Sequence, residues 1–180
     1  MKKLYLLRHS KAEQTSKKIL DDHERSLTSK GEEYCHRVGA FMQQNQITVD
    51  TILCSSSART TRTAEIIAPY LNYHNPIALE SRLYLASVYD IFQIIHALNE
   101  DVQSLLIVGH NPGLHQFCME LAGKGSKQTY RKLRSNFPPA SLVEFDAECD
   151  YWFNLSVQDG ILRSFHTPKD LLTKQPTLPD

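Results

Sequence analysis

Two short apolar runs that stop at basic residues most constrain how this chain can fold. Leu4–Leu7 ends at Arg8-His9, and Leu105–Val108 ends at Gly109-His110-Asn111-Pro112. Each run is too short and too uniformly apolar for an amphipathic helix, so each reads as a central, buried strand. The segments between them alternate in kind. Thr28 is placed to cap a helix running to about Asn45, with Tyr34, Val38, Phe41 and Met42 along one face. Thr51–Cys54 gives another short strand, followed by a helix from about Arg59 to Leu71 that Asn72 ends. Ile77–Leu79 reads as a strand, Ile91–Leu98 as a helix, and residues 112–122 as a helix in which Asn111 is the N-cap and Pro112 the first position. Ser141–Phe145 and Tyr151–Val157 read as a hairpin at the far edge of the sheet, joined through Asp146–Asp150.

This alternation predicts a three-layer α/β/α fold, with a mostly parallel sheet and an antiparallel edge. The 180 residues are read as one domain over residues 1–166. Residues 167–180 hold three prolines and little apolar material, and are expected to be an extended or disordered tail. Lys11–Glu24, polar and unpatterned, is expected as a long loop over the strand ends.

Twenty basic and twenty acidic side chains cancel, so no overall field draws the protein to nucleic acid or an anionic membrane. No apolar stretch approaches membrane-spanning length. Cys35, Cys54, Cys118 and Cys149 are scattered without a CxxC pair or zinc spacing, which predicts free thiols and a cytoplasmic protein. The remaining histidines show no ligand spacing, so no metal is expected. Neither GxxxxGK[ST] nor GxGxxG occurs, and no organic cofactor is expected either.

Open α/β sheets bind ligands at the carboxyl ends of their strands. There Arg8-His9 and His110 would meet, and Arg59 in the first turn of its helix points to the same edge. Guanidinium groups match two phosphate oxygens at once. A helix start beside His110 adds free N–H groups and a favourable dipole, and a protonated His110 would add a donor. Either histidine alone also reads as a hydrogen-bonded core or loop residue; the pair together argues for a phosphate site. His9 is then the candidate nucleophile, provided one ring nitrogen donates to a fixed acceptor, such as a backbone carbonyl, and the other keeps its lone pair.

These residues resemble the histidine phosphatase, or phosphoglycerate mutase-like, superfamily. Its pattern is an arginine-histidine pair after the first strand, S-x-x-x-R-x-x-x-T-A after the second, and a late G-H-N. Here these stand as Arg8-His9, Ser55 to Ala64 with Arg59 in the arginine position, and Gly109-His110-Asn111. Ser10 replaces the usual glycine, at little cost unless the backbone needs positive φ. Within the superfamily the chain is most similar to small SixA-type phosphohistidine phosphatases. Asp22-His23-Glu24-Arg25-Ser26-Leu27-Thr28 to Gly31 is similar to their D-x-x-R-P-L-T-x-x-G element, with Ser26 for proline.

The resemblance implies phosphoryl transfer from a phosphohistidine on a partner phosphotransfer protein to His9, then to water. Arg8, Arg59, His110 and Asn111 would hold the phosphate, and Arg25 either joins them or braces its loop. Small phosphorylated substrates are the alternative, as for a broad phosphomonoesterase. A phosphate- or phosphoprotein-binding module is a further alternative, though a binder needs no nucleophile. Mutase-type members place a glutamate acid after R-L-x; here Arg82-Leu83-Tyr84-Leu85 has leucine. A missing acid favours an imidazole leaving group over an alkoxide. Glu80, Glu13 and Asp21 remain candidates for that acid. Lys124, Lys127, Arg131, Lys132 and Arg134 would either steer an acidic phosphoprotein or form a solvated loop.

Overall fold

Successive side chains of strand β1 (Lys2–Arg8) enter two separate cores in the computed structural model, which describes residues 1–14 and 21–171. Leu4 and Leu6 pack among helices α3 (Val88–His96), α4 (Gly113–Leu121) and α5 (Lys127–Ser135). Tyr5 and Leu7 pack against α1 (Ser29–Gln44) and α2 (Ala58–Ile67). Because strand side chains alternate between faces, this split defines a helix layer on each side of one sheet. Strands β2 (Thr51–Cys54) and β4 (Ser104–Gly109) repeat the pattern: Leu53, Leu105 and Ile107 face one layer, Ile52, Cys54, Leu106 and Val108 the other.

The sheet has seven strands among the described residues, completed by β3 (Ala78–Leu79), β5 (Ala122–Gly125), β6 (Leu142–Ala147) and β7 (Gly160–His166). Their order is β3-β2-β4-β1-β6-β7-β5. β3, β2, β4 and β1 pair in parallel; β6 is antiparallel to both β1 and β7, and β5 at the rim runs parallel to β7. The three-layer α/β/α expectation with a mostly parallel sheet therefore holds.

Local signals set most boundaries. The Thr28 hydroxyl accepts from the Gly31 N–H and starts α1. Ser87 and Asp90 form a reciprocal capping box at α3. The helix expected to reach Leu71 changes at Ala68 into a tight 3₁₀ turn, with Pro69 in its first turn, and Asn72 ends it in the left-handed region at φ 51°.

Three expectations need correction. Tyr151–Val157 is not a strand: Trp152–Asn154 turns as a 3₁₀ helix, because it buries the Trp152 ring and aims the indole N–H at the Val102 carbonyl, 2.7 Å away. The strand that follows β6 is β7, whose Leu162 and Phe165 reach the core. Lys124–Arg134 is not a loop but the end of β5 and most of α5, held by buried Leu133. Finally, α4 starts at Gly113 and ends at Leu121, where the chain turns directly into β5.

The segment expected as a tail begins with a hydrogen-bonded turn. The Thr167 amide and hydroxyl both donate to Asp170, Lys132 pairs with Asp170 at 2.6 Å, and Leu171 is buried in the second core. Residues 172–180 lie outside the described residues, as do residues 15–20 of the loop expected over the strand ends. The four cysteines are free and buried, and no helix among the described residues is long and apolar enough to cross a membrane.

Candidate functional site

Sheet register brings the candidate residues to one level. Arg8 pairs with Gly109, and Cys54 pairs with Val108, so β1, β4 and β2 end together as neighbours. The chain then extends each pairing by one bond: the His9 N–H donates to the Gly109 carbonyl and the Ser55 N–H to the Val108 carbonyl, both at 3.0 Å. His9, His110 and Ser55 consequently sit side by side at the carboxyl edge, where α2 adds Arg59 from its first turn. The two imidazole rings are 5.1 Å apart.

His9 has a fixed tautomer. Its Nδ1 lies 2.7 Å from the Ser10 carbonyl, which can only accept, so Nδ1 carries the proton and Nε2 keeps the lone pair. Burial is the main force holding this imidazole neutral; Arg59, Arg8 and Arg25 add to it, against the Ser10 bond, and the pKa falls to about 4. Ser10 fits in place of glycine because it is not among the described residues with positive φ. Its amide donates to the Thr63 hydroxyl and its hydroxyl to the Gly31 carbonyl, tying the nucleophile's strand end to α2 and α1.

With no phosphate beside it, His110 is also neutral. Its Nδ1 faces an Arg59 guanidinium nitrogen at 3.3 Å and must accept, so Nε2 carries the proton toward the Ser55 hydroxyl at 2.8 Å. Burial first, then His9 and Arg59, push its pKa down to about 3. Asn111 does not cap α4. Its amide donates 3.1 Å to the Phe137 carbonyl, its Oδ1 is buried without a partner, and Pro112, in helical conformation, occupies the cap position.

Arg8 and Arg59 are placed differently. Arg8 donates to the Phe137 carbonyl at 2.7 Å, and its Nε is buried without a partner; burial and Arg59 lower its pKa. Arg59 is only 3% exposed, gives both terminal nitrogens to Asp22, and also leaves Nε without a partner. Buried guanidinium donors left open are costly, and they mark where an anion would be welcome. Arg25 is clamped by the Glu13 carbonyl and by Asp22, near enough to His9 to depress its pKa.

Asp22, Tyr84, Ser55 and His23 complete the cluster and were not anticipated as site residues. Asp22 accepts from Arg25, Arg59 and the Tyr84 hydroxyl; chiefly the Tyr84 and Arg25 bonds hold its carboxyl far below the usual range. Tyr84 also packs edge-on against His110 and His23, and His23 Nε2 lies 2.9 Å from the Ser56 hydroxyl. The three carboxylates considered as acids sit otherwise. Glu80 is taken by Arg82, which lowers its pKa; Asp21 caps the 3₁₀ turn Asp22–Glu24; and Glu13, whose side chain is exposed, contributes its carbonyl to Arg25. Leu85, where mutase-type members carry glutamate, is 60% exposed. Among the described residues no group of three or more metal-ligating side chains comes together.

Comparison with known proteins places the chain beside histidine phosphatases in sequence pattern and fold. The family model described as histidine phosphatase superfamily (branch 1) matches residues 4–84. An uncharacterised protein of Mycobacterium leprae (strain TN) is 24% identical over 149 residues, spanning 82% of this chain and 89% of its own. Two solved structures provisionally named phosphohistidine phosphatase SixA superpose on most of the chain. The one from Nakamurella multipartitia has a TM-score of 0.80 at 23% identity, covering 93% of this chain and 96% of its own. That from Agrobacterium tumefaciens has a TM-score of 0.77 at 25% identity, covering 93% and 98%.

Proposed function

We propose that this chain, which is similar to the histidine phosphatase superfamily in fold and over residues 4–84, removes the phosphoryl group from a phosphohistidine on a partner protein by way of His9. The observation that carries the reading is the His9 Nδ1 bond to the Ser10 carbonyl, which leaves a neutral Nε2 beside three arginines. In the first step the Nε2 lone pair forms a bond to phosphorus while the substrate's P–N bond breaks. The leaving imidazole takes that electron pair and can carry its own proton on its other nitrogen. In the second step water attacks phosphorus, the P–Nε2 bond breaks, and its electron pair returns to His9 as phosphate leaves with the proton from water.

Arg8 and Arg59 hold the phosphoryl oxygens, and Arg25 adds charge at the rim. A dianion beside His110 raises its proton affinity, so there it becomes a donor to the same group, with Ser55 fixing its ring. Asn111 orients the Phe137 carbonyl that also anchors Arg8, a positioning role at the edge of the phosphate site.

Among the described residues Glu80 is tied to Arg82, Asp21 caps its turn and position 85 carries leucine, which supports the phosphoramidate. An alkoxide must be protonated as it leaves, and a positioned acid is worth about 10²–10⁴-fold. Asp22, the carboxylate in the cluster, is held ionised by three donors and is a poor acid. Steady-state rates on a phosphohistidine-bearing phosphotransfer domain and on glycerol phosphate test the choice. The reading predicts at least roughly a hundredfold higher kcat/KM for the protein substrate; equal or faster hydrolysis of the alkyl ester points to a phosphomonoesterase.

A further inference from the structure

We propose that Asp22 is an internal competitor for phosphate, holding Arg59 and Arg25 until a phosphoryl group displaces its carboxylate and reclaiming them as inorganic phosphate leaves. This rests on the phosphatase reading of the site and adds a determinant of its product affinity.

The geometry points there from several sides. Asp22 Oδ2 accepts from Arg59 Nη2 at 2.9 Å and from the Tyr84 hydroxyl at 2.7 Å; Oδ1 accepts from Arg25 at 2.7 Å; and its main-chain carbonyl takes Arg59 Nη1. One carboxylate thus engages two of the three arginines around His9. Among the described residues it is also the only carboxylate paired with either of them. A planar three-oxygen phosphoryl group asks for the same donors. Arg59 cannot serve both partners fully, because Asp22 occupies both terminal nitrogens and only Nε is left without a partner.

Charge gives the same answer. Arg8, Arg25 and Arg59 contribute three positive charges and Asp22 one negative, while His9 and His110 are neutral. The three arginines and Asp22 thus leave two net positive charges, and a dianion gains the third only by displacing the carboxylate. Asp22→Asn supplies it without that competition, so the variant should hold product more tightly.

Asp22 is also placed to move. It belongs to a three-residue 3₁₀ turn outside the sheet, with a side chain 43% exposed, whereas its partner Arg59 is buried in α2. Arg8, by contrast, is anchored on the Phe137 carbonyl, a neutral acceptor that need not be displaced.

A purely structural clamp makes the opposite prediction. If Asp22 only positions Arg59, its loss disorders the guanidinium, weakens phosphate binding and raises KM. If it competes, Asp22→Asn keeps the shape, removes the charge and tightens binding. A unit charge within contact range at an effective dielectric near 20 is worth more than one tenfold step, so a roughly ten- to hundredfold lower Kd is expected. Both kcat and KM should then fall together, because product release slows.

The test is calorimetric titration of inorganic phosphate into wild type, Asp22→Asn and Tyr84→Phe, with kcat and KM measured for each. Tyr84→Phe removes one of the carboxylate's donors without changing charge, and should tighten phosphate to a smaller degree. Supporting outcomes are the tenfold or greater tightening in Asp22→Asn and the joint fall in kcat and KM. Wild type that binds phosphate with Asp22→Asn binding equally or more weakly overturns the competitor role alone. Failure of all three proteins to bind phosphate overturns the phosphatase reading and this role with it.

Discussion

Acidification is the perturbation that most sharply probes the His9 environment. An ordinary histidine, with a pKa near 6.5, is about ten parts in eleven protonated at pH 5.5; one lowered to about 4 is protonated in only about one molecule in thirty. Histidine Cε1–H and ring ¹⁵N resonances should therefore show His9 as the neutral Nδ1–H tautomer down to pH 5.5, and His110 as the neutral Nε2–H tautomer. The same shift sets a stability change of known sign. As pH falls, the unfolded chain takes the proton near 6.5, but the folded chain only near 4. Stability is fully present above pH 6.5 and is lost as pH falls toward the folded value. Between pH 7.5 and 5 the His9 contribution to that loss is about 2 kcal/mol. Urea unfolding of wild type and His9→Asn at both pH values isolates it, since the other titrations are largely shared. The variant should lose about 2 kcal/mol less than wild type over that interval. A His9 midpoint near 6.5 by resonance, or identical pH dependence in the two proteins, would refute the buried, neutral nucleophile.

Two further outcomes follow from the packing and the charges. Arg59→Ala should lower kcat/KM by roughly 10² or more, since it removes a buried donor to the transferring group. Arg62→Ala, one turn along, half-exposed and paired with Glu32 and Glu65, should change it only a few-fold; similar losses in both would remove Arg59 from the phosphate site. A Cβ on Gly113 would lie 1.8 Å from the Ala86 carbonyl oxygen, whereas one on Gly109 meets nothing nearer than Leu114 at 3.7 Å. Gly113→Ala should cost about 2 kcal/mol or more, a drop in Tm of roughly 5 °C, and Gly109→Ala far less; equal melting of the two variants would contradict this close approach.

The parts of the site legible in the sequence are those fixed by local pattern. Arg8, His9, Arg59 and His110 follow short apolar runs or open a helix, and parallel register does the rest. What stayed hidden depends on contacts between distant segments. Asp22 lies inside a recognised element, yet nothing local shows that its carboxylate reaches Arg59, 37 residues away, and Tyr84, 62 residues away. Ser55 similarly stands at the head of the S-x-x-x-R element, but its role depends on His110 on the neighbouring strand. That His110 is neutral without phosphate is likewise not local: burial, then His9 and Arg59 on neighbouring elements, lower its pKa. In the fold, the error at Tyr151–Val157 came from reading an aromatic cluster as a strand, when Trp152 is buried through a turn. β7 offers no clean alternation in its place: Leu162 and Phe165, three residues apart, both reach one core across a register shift in the pairing with β6. Gly-rich β5 carries no apolar alternation, and only its pairing with β7 makes it a strand.

The central claim is that a phosphoryl group rests on His9. A radiolabelled phosphohistidine-bearing phosphotransfer protein, mixed with wild type or His9→Ala and quenched in alkali, tests it most directly, because alkali preserves phosphohistidine and destroys phosphoserine. The account predicts label on wild type alone, with phosphate released from the donor and none released by the variant. Release of phosphate by His9→Ala at the wild-type rate, or alkali-stable label on the variant, would contradict it.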